Sequence, residues 1–255
     1  MRRIQARKTN NKKHYADKDN RKERRPHEGV SEGMNAGIER FVGNNSYAFG
    51  TSRDNHVVNL IKDGRAFTRS QVEQILITNR KSSKRIAQTV LRRLYRQERI
   101  KKKVYAPQLP VVYFVEKPKY MEHTLLINDV YCALLSQKKP WYVIEWKWSY
   151  SILNGKAIAD AMANIYTEPD RKGRKVFFIE VERNPSKRFN KPEQYQKVYD
   201  SDWVKEEWSV IKNNTAIFPA ILIVTEEELV IKSDLNFIVA SIEQVQKDVY
   251  GLIRR

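Results

Sequence analysis

Three carboxylates interrupt apolar runs in the second half of the chain. Residues 176–183 read VFFIEVER, so Glu180 and Glu182 lie two positions apart in a run that otherwise predicts a buried strand. Because side chains alternate between the two faces of a strand, both carboxylates point to the same side. Asp160 interrupts a second apolar run upstream, KAIADAMANIY. Burying an unpaired carboxylate is costly, so we expect these three groups to be paired, hydrogen-bonded or bound to a metal.

Hard oxygen ligands of this kind suit Mg²⁺ or Mn²⁺. The pattern therefore predicts a metal site that Asp160, Glu180 and Glu182 form together. The same residues allow a second interpretation, because carboxylates at strand ends often only form salt bridges. The chain has 48 Lys and Arg residues that could serve as partners.

The overall charge of the chain favours a polyanionic partner. The 255 residues carry a formal net charge of +18, and no long apolar span is present. Nucleic acid is therefore a better partner than a membrane, and we expect double-stranded or locally single-stranded DNA. The basic N-terminus is not followed by the apolar stretch of a secretory signal. Cys132 is the only cysteine, which excludes intrachain disulfides and Cys-based zinc sites, so we expect a cytoplasmic protein without membrane attachment.

The first part of the sequence, residues 1–53, predicts a flexible basic arm and a linker. Residues 1–25 hold 11 Lys or Arg against three acids and almost no large apolar side chains. Such a composition cannot bury enough surface to fold alone. The arm could lie along DNA phosphates, or it could only keep the protein in solution. Residues 26–53 are rich in Gly, Asn and Ser, as linkers are.

Residues 54–120 predict a winged helix-turn-helix domain. Apolar residues at 57–61 indicate a short helix, and Thr68 precedes SQVEQILI as a helix N-cap would. A longer amphipathic helix, SKRIAQTVLRRLYRQ, follows after a loop. Two strand-like runs, separated by Pro107 and Pro110, come next. Three short helices before a β-hairpin are the order of a winged helix.

The charge of this region supports DNA binding. Residues 79–103 carry 11 Lys or Arg and one acid, Glu98. A basic helix followed by a basic strand suits a helix in the major groove and a wing on the DNA backbone. The alternative is a solvated helix in a protein-interaction domain. The candidate DNA-binding residues are Ser82, Ser83, Lys84, Arg85, Gln88, Arg92, Arg93, Lys101, Lys102 and Lys103.

Residues 121–255 predict an α/β domain with a mixed sheet, which makes the chain α+β overall. The order is a helix, HTLLINDVYCALLS, then three strand-like runs, then a helix at about 191–213. A buried fourth strand, AIFPAILIVT, and a closing helix, SIEQVQKDVYGLI, complete it. This is the order found in restriction-endonuclease-like nucleases.

The order of these features resembles the replication-relaxation family. The features are the winged helix, His123 and Asn128 in one helix, a Trp-rich strand with Glu145, the strand with Asp160, the Glu-x-Glu strand and a helix with Lys and Tyr. Members of that family are similar to plasmid relaxases of the MobC type, whose catalytic domain has a PD-(D/E)xK nuclease-like fold. The resemblance covers roughly residues 54–230.

The resemblance implies that Asp160 and Glu180 hold a divalent metal, with Glu145 as a further catalytic candidate. Glu182 then stands where many nucleases of this fold keep Lys. A Lys from the following helix could replace it, and the candidates are Lys191 and Lys197. The implied reaction is metal-assisted cleavage of a phosphodiester. A covalent mechanism through Tyr195 or Tyr199 is the less favoured alternative, because tyrosines at such positions usually belong to the core or the surface.

These features together predict a DNA-binding protein of a mobile element that nicks DNA in replication initiation, relaxation or mobilisation. One alternative is a catalytically inactive winged-helix regulator or accessory protein, in which the carboxylates are structural. Another is a double-strand or transposition endonuclease. Self-association as a homodimer is left open.

Overall fold

The fold is mixed α/β, and its described residues form a three-stranded antiparallel sheet, a larger five-stranded mixed sheet and a separate pair of antiparallel strands, Val210–Lys212 and Thr215–Ile217. The computed structural model describes residues 49–76, 82–168, 173–183, 189–206, 209–212 and 215–253, and only the backbone of residues 49–51, 210–212 and 215. The described residues lie in one compact unit, Asn44–Arg255. Most of the predicted basic arm and linker, residues 1–48, falls outside the described residues.

The first described elements are three helices and a three-stranded antiparallel sheet with the strand order β1-β3-β2. Their bounds are α1 Phe49–Asp63, β1 Ala66–Thr68, α2 Arg69–Leu76, α3 Ser83–Arg96, β2 Lys101–Lys103 and β3 Val112–Phe114. Apolar side chains from all three helices, such as Ile61, Val72 and Leu91, form the core of this part.

The predicted cap of α2 is confirmed. The Gln71 N–H donates to Thr68 Oγ1 at 3.3 Å, and the Thr68 N–H donates to Gln71 Oε1 at 2.8 Å. These reciprocal bonds satisfy donors that a helix start leaves free. The short strand β1 was not predicted, because three residues give too little alternation to be recognised as a strand.

The larger sheet has five strands in the order β10-β9-β6-β5-β4. Strands β4, β5 and β6 run antiparallel, whereas β6, β9 and β10 run parallel, so the predicted mixed sheet is confirmed. The bounds are α4 Met121–Gln137, β4 Val143–Ile152, β5 Ala157–Tyr166, β6 Arg174–Val181, α5 Lys191–Tyr199, β7 Val210–Lys212, β8 Thr215–Ile217, β9 Ala220–Val224, β10 Phe237–Ala240 and α6 Ile242–Leu252.

The two faces of this sheet are covered by different helices. Helices α4 and α6 pack on one face, where Ala161, Ile179 and Val249 are among the buried residues. Helix α5 packs on the other face, where Tyr195 and Phe178 are buried. The alternation of apolar residues along β6 thus fills both cores, as expected for a central strand.

Two predictions about the second half of the sequence were wrong, and one strand was missed. The helix predicted at 191–213 ends at Tyr199, because the chain turns and buries Trp203 against Phe218, with ring centres 5.2 Å apart. Pro219 divides the predicted strand AIFPAILIVT into β8 and β9, since proline cannot donate to a strand ladder. Strand β10 was not predicted, because its four residues directly precede a helix.

Helix α4 contacts both parts of the fold. Its Tyr131 is buried in the core of the first three helices, while its Val130 and Leu134 are buried against the larger sheet. The predicted boundary between residues 120 and 121 falls directly before this helix. The division into two domains therefore stays a prediction, with α4 as the element that both halves share.

Hydrogen bonds from α4 also connect the two parts. We call Gln71, Asn128 and Asp129 the amide cluster. Asn128 is fully buried; its Nδ2 donates to the carbonyls of Gly64 (3.0 Å) and Ala66 (2.6 Å), and its Oδ1 accepts from Trp148 Nε1 at 2.8 Å. Gln71 Nε2 donates to Asp129 Oδ1 at 2.7 Å and to the Leu125 carbonyl at 2.9 Å.

Among the described residues, none of the helices combines the length and the apolar character needed to cross a membrane.

Candidate functional site

The candidate site lies where strands β5 and β6 separate. Their described pairing runs from Tyr166 and Arg174 to Ala161 and Ile179, and it ends there. On the other side of β5, the ladder with β4 omits the position where Asp160 faces Ser149. Ser149 has a positive φ of 53°, so the backbone of β4 leaves the extended conformation at this residue. Asp160 therefore occupies an opening in the sheet.

The Asp160 carboxylate bridges β6 and α4. Its Oδ2 accepts from the backbone N–H of Val181 at 2.8 Å, so it takes the place of a carbonyl in the interrupted ladder. Its Oδ1 lies 3.0 Å from Nε2 of His123, near the start of α4. The hydrogen bond to Asp160 raises the pKa of His123 despite the opposing effect of burial, and this favours a protonated imidazole beside the carboxylate.

Glu180 is the most deeply buried acid of the site. It has no exposed surface, and its Oε1 accepts from Tyr195 Oη at 2.8 Å. Its Oε2 forms an ion pair with Lys191 Nζ at 2.8 Å. Burial raises the pKa of Glu180 to about 7, even though Lys191 favours the charged form. Two side chains of α5, those of Tyr195 and Lys191, thus hold the Glu180 carboxylate of β6.

Glu182 completes what we call the carboxylate cluster, Asp160, Glu180 and Glu182. Its N–H donates to the carbonyl of Val224 at 2.9 Å, which continues the pairing of β6 with β9 by one residue. Burial raises the pKa of Glu182, the charges of Lys191 and His123 lower it, and Asp160 raises it. The positive charges that shift the pKa of Glu182 thus belong to residues that also contact Asp160 or Glu180.

The structure distinguishes between the remaining catalytic candidates. Lys191, the first residue of α5, belongs to the cluster, and its Nζ also donates to the Ile158 carbonyl at 3.3 Å. Lys197 is exposed on the same helix. Glu145 pairs in the ladder with Asn164, four positions from Asp160 along β5, or about 13 Å at strand spacing. It bonds Asn164 and Tyr166 instead of the cluster.

Tyr195 is a core residue. Its side chain is fully buried, and burial raises the pKa of its hydroxyl further from neutral pH. A phenol held in this way positions Glu180 and is poorly suited to be a nucleophile. This agrees with the interpretation of Tyr195 as a core tyrosine. Tyr199 is exposed and stacks on Trp203.

A cavity of about 170 Å³ opens beside Asp160 and His123. Arg65 and Lys119 line it together with Ser149. Arg65 and Ser149 both have the left-handed backbone conformation that residues other than glycine seldom adopt, with φ of 64° and 53°. Strained backbone of this kind concentrates at functional sites. No sequence pattern pointed to Arg65 or Lys119, since isolated Lys and Arg residues are common in this chain.

The donor types of the carboxylate cluster fit Mg²⁺ or Mn²⁺, which prefer carboxylate oxygens. Within the described ranges, no group of three or more His, Cys, Asp or Glu side chains is arranged so that it could hold a metal ion. In the present arrangement Asp160 bonds His123 and Val181, and Glu180 bonds Tyr195 and Lys191.

The candidate DNA-binding residues lie on α3, at its start, and on β2. Exposed members are Ser82, Lys84, Arg85, Gln88, Arg92, Lys101 and Lys102, and Lys103 is partly exposed. Two others have partners within the protein. Ser83 Oγ donates to Glu73 at 2.5 Å, and Arg93 donates to both oxygens of the buried Asp54, at 2.7 and 2.5 Å.

Comparisons of the chain with protein-family models, with curated proteins and with solved structures give no match. The resemblance to the replication-relaxation family therefore stays a prediction from the sequence.

Proposed function

We propose that this chain is a DNA-binding protein of a mobile element that nicks DNA in replication initiation, relaxation or mobilisation. The observation that carries the proposal is the convergence of Asp160, Glu180, Glu182 and Lys191 at the opening between β5 and β6. Three acids and a lysine beside a strand opening are a suitable set for phosphodiester chemistry, in a chain whose net charge is +18.

The element order supports the finer part of the proposal. Helices and strands from α1 to β3, with β3 between β1 and β2, are arranged as in a winged helix-turn-helix. The order α4, β4, β5, β6, α5, β9 with its mixed sheet agrees with a restriction-endonuclease-like domain. Both assignments, and the relation to the replication-relaxation family, are part of the proposal.

The proposal gives each side chain of the site a role. To hold Mg²⁺ or Mn²⁺, Asp160, Glu180 and Glu182 would have to turn from their present partners towards a common ion. When bound, the ion would polarise the phosphate and neutralise developing charge. Glu182 stands where many nucleases of this fold have a lysine. In this proposal Lys191 supplies the missing positive charge, and it forms an ion pair with Glu180. Tyr195 keeps Glu180 in place.

A second function has its own supporting observation. Asp160 is hydrogen-bonded to His123 and Val181. Glu180 accepts a hydrogen bond from Tyr195 and forms an ion pair with Lys191. Carboxylates that are paired within the protein in this way can be purely structural. The protein would then be an inactive winged-helix regulator or accessory protein.

The test is incubation of the purified protein with supercoiled plasmid that carries DNA of its own element, with Mg²⁺, Mn²⁺ or EDTA. Asp160→Asn and Glu180→Gln are compared with Glu145→Gln, which lies outside the cluster. We expect metal-dependent open circles, lost in the first two variants and kept in the third, while DNA binding survives in all. Linear product would identify a double-strand endonuclease instead. Binding without cutting under every metal condition would favour the regulator.

A further inference from the structure

The loop between β2 and β3 differs in composition from the basic region around it. Residues 104–111 read VYAPQLPV and contain no charged side chain, although they follow directly on the three lysines of β2. A loop that only contacts phosphates is expected to carry Lys, Arg or small polar residues. This loop carries aliphatic and aromatic side chains and two prolines instead.

Three apolar side chains of this loop are about half exposed. Val104, Tyr105 and Leu109 are 53%, 43% and 50% exposed. A turn closes the loop, because the Leu109 N–H donates to the Ala106 carbonyl at 3.0 Å. Pro107 and Pro110 restrict the backbone further. Grouped exposed apolar side chains on a restrained loop mark a surface that a partner covers.

Two lysines of β2 lie beside aromatic rings, one in helix α3 and the other in this loop. Lys102 Nζ lies 4.4 Å from the ring centre of Tyr95, and Lys103 Nζ lies 4.5 Å from that of Tyr105. A partner that fits must therefore offer negative charge and flat apolar groups side by side. Nucleic acid with unpaired bases offers both. A second copy of this chain that used the same surface would not offer negative charge, because its lysines would repel the lysines of β2.

We propose that Val104, Tyr105 and Leu109 bind unpaired DNA bases while the lysines of β2 hold the adjoining phosphates. In an intact duplex the base faces are stacked and hidden, so this contact favours DNA whose strands are locally separated. The inference rests on the DNA binding of the proposed function and specifies its substrate as DNA with an unpaired region.

The experiment measures binding of the full chain to fluorescent DNA by anisotropy, with EDTA present so that no strand is cut. The probes are a duplex and the same duplex with a central unpaired bubble. Stacking of a single base on an aromatic side chain strengthens binding by roughly tenfold, so we expect the bubble to bind about tenfold more tightly than the duplex.

Variants separate base contacts from phosphate contacts. Tyr105→Ser combined with Leu109→Ser should reduce bubble affinity to that of the duplex and leave duplex affinity within about twofold. Tyr105→Phe keeps the ring and should keep the preference. Val230→Ser is the matched control, because Val230 is 79% exposed and lies outside this hairpin. Circular dichroism and thermal unfolding verify that every variant folds.

Equal affinity of the native protein for duplex and bubble would overturn the inference. So would a double variant that loses both DNAs equally, or one whose only change is loss of self-association. A native protein that binds no DNA would overturn the DNA-binding part of the proposed function as well. Retained bubble preference without any nicking would overturn the nicking alone.

Discussion

Helix α4 contributes two residues to the amide cluster and contacts the carboxylate cluster through His123, yet the two clusters differ in chemical character. In the amide cluster, the fully buried Asn128 is neutral and makes three hydrogen bonds to the protein. In the carboxylate cluster, the equally buried Glu180 is an acid whose pKa burial raises to about 7. Neutral groups with complete hydrogen bonding stabilise a structure at little cost, whereas buried acids are costly to keep charged. This difference is why we propose a structural role for Asn128 and a chemical role for the carboxylate cluster.

The largest effect we expect is the loss of nicking in Lys191→Met. This variant removes the cation beside Glu180, and loss of one preorganised charge contact lowers a rate by about 100-fold or more. Lys197→Met, on the exposed side of the same helix, should stay within about twofold of the native rate. Rates of plasmid nicking measure both. Equal rates in the two variants would remove Lys191 from the proposed chemistry.

Asn128→Ala should instead destabilise the fold. It leaves the indole N–H of Trp148 and the carbonyl of Gly64 without their buried partner, and we expect a loss of about 3 kcal/mol in the free energy of unfolding. Urea denaturation measures this loss. Asn59→Ala, on the exposed face of α1, is the control and should change stability by less than about 0.5 kcal/mol. Equal stability of the two variants would contradict the structural role.

Arg92 and Arg93 are adjacent on α3 but have different surroundings. Arg93→Ala leaves the buried Asp54 without its partner; because the Arg93 side chain is 40% exposed, we expect a moderate loss of about 1–2 kcal/mol in stability. Arg92→Ala should leave stability unchanged and reduce the salt dependence of DNA binding by about one counterion. Urea denaturation measures the stability of both variants, and titration of DNA binding with salt measures the salt dependence. A stability loss in Arg92→Ala without one in Arg93→Ala would contradict the prediction.

The smallest effect concerns the one acid of the amide cluster. Burial raises the pKa of Asp129 above its ordinary value of 3.8. As the pH rises from 3.8 towards the higher folded value, the unfolded chain releases its proton first, so stability falls across this window and stays reduced above it. Asp129→Asn keeps an acceptor for Gln71 and removes this penalty. Denaturation across the window should show a flatter pH dependence and a slightly more stable variant at neutral pH. A steeper dependence would contradict the assignment.

Much of the local structure was predictable, because helices and strands of ordinary length carry their period in the sequence. The cap at Thr68, the long helices and the central strands of the larger sheet follow from that period. Short elements were missed, because the three residues of β1 and the four residues of β10 are too few to show a strand period. The helix end at Tyr199 was missed because burial of Trp203, a tertiary contact, overrides local propensity.

The amino-acid order alone predicted that acids interrupt two apolar strands and that basic residues dominate the region around α3. It could not decide which cations serve which acids. Lys191 and Lys197 are both plausible by spacing, and only the packing of α5 brings Lys191 to Glu180. Arg93 belongs to the same basic helix as Arg92, and only the position of α1 pairs it with Asp54. Periodicity depends on residues that are close together in the sequence. Burial and ion pairing depend on contacts between residues that are far apart in the sequence, so they cannot be predicted from periodicity.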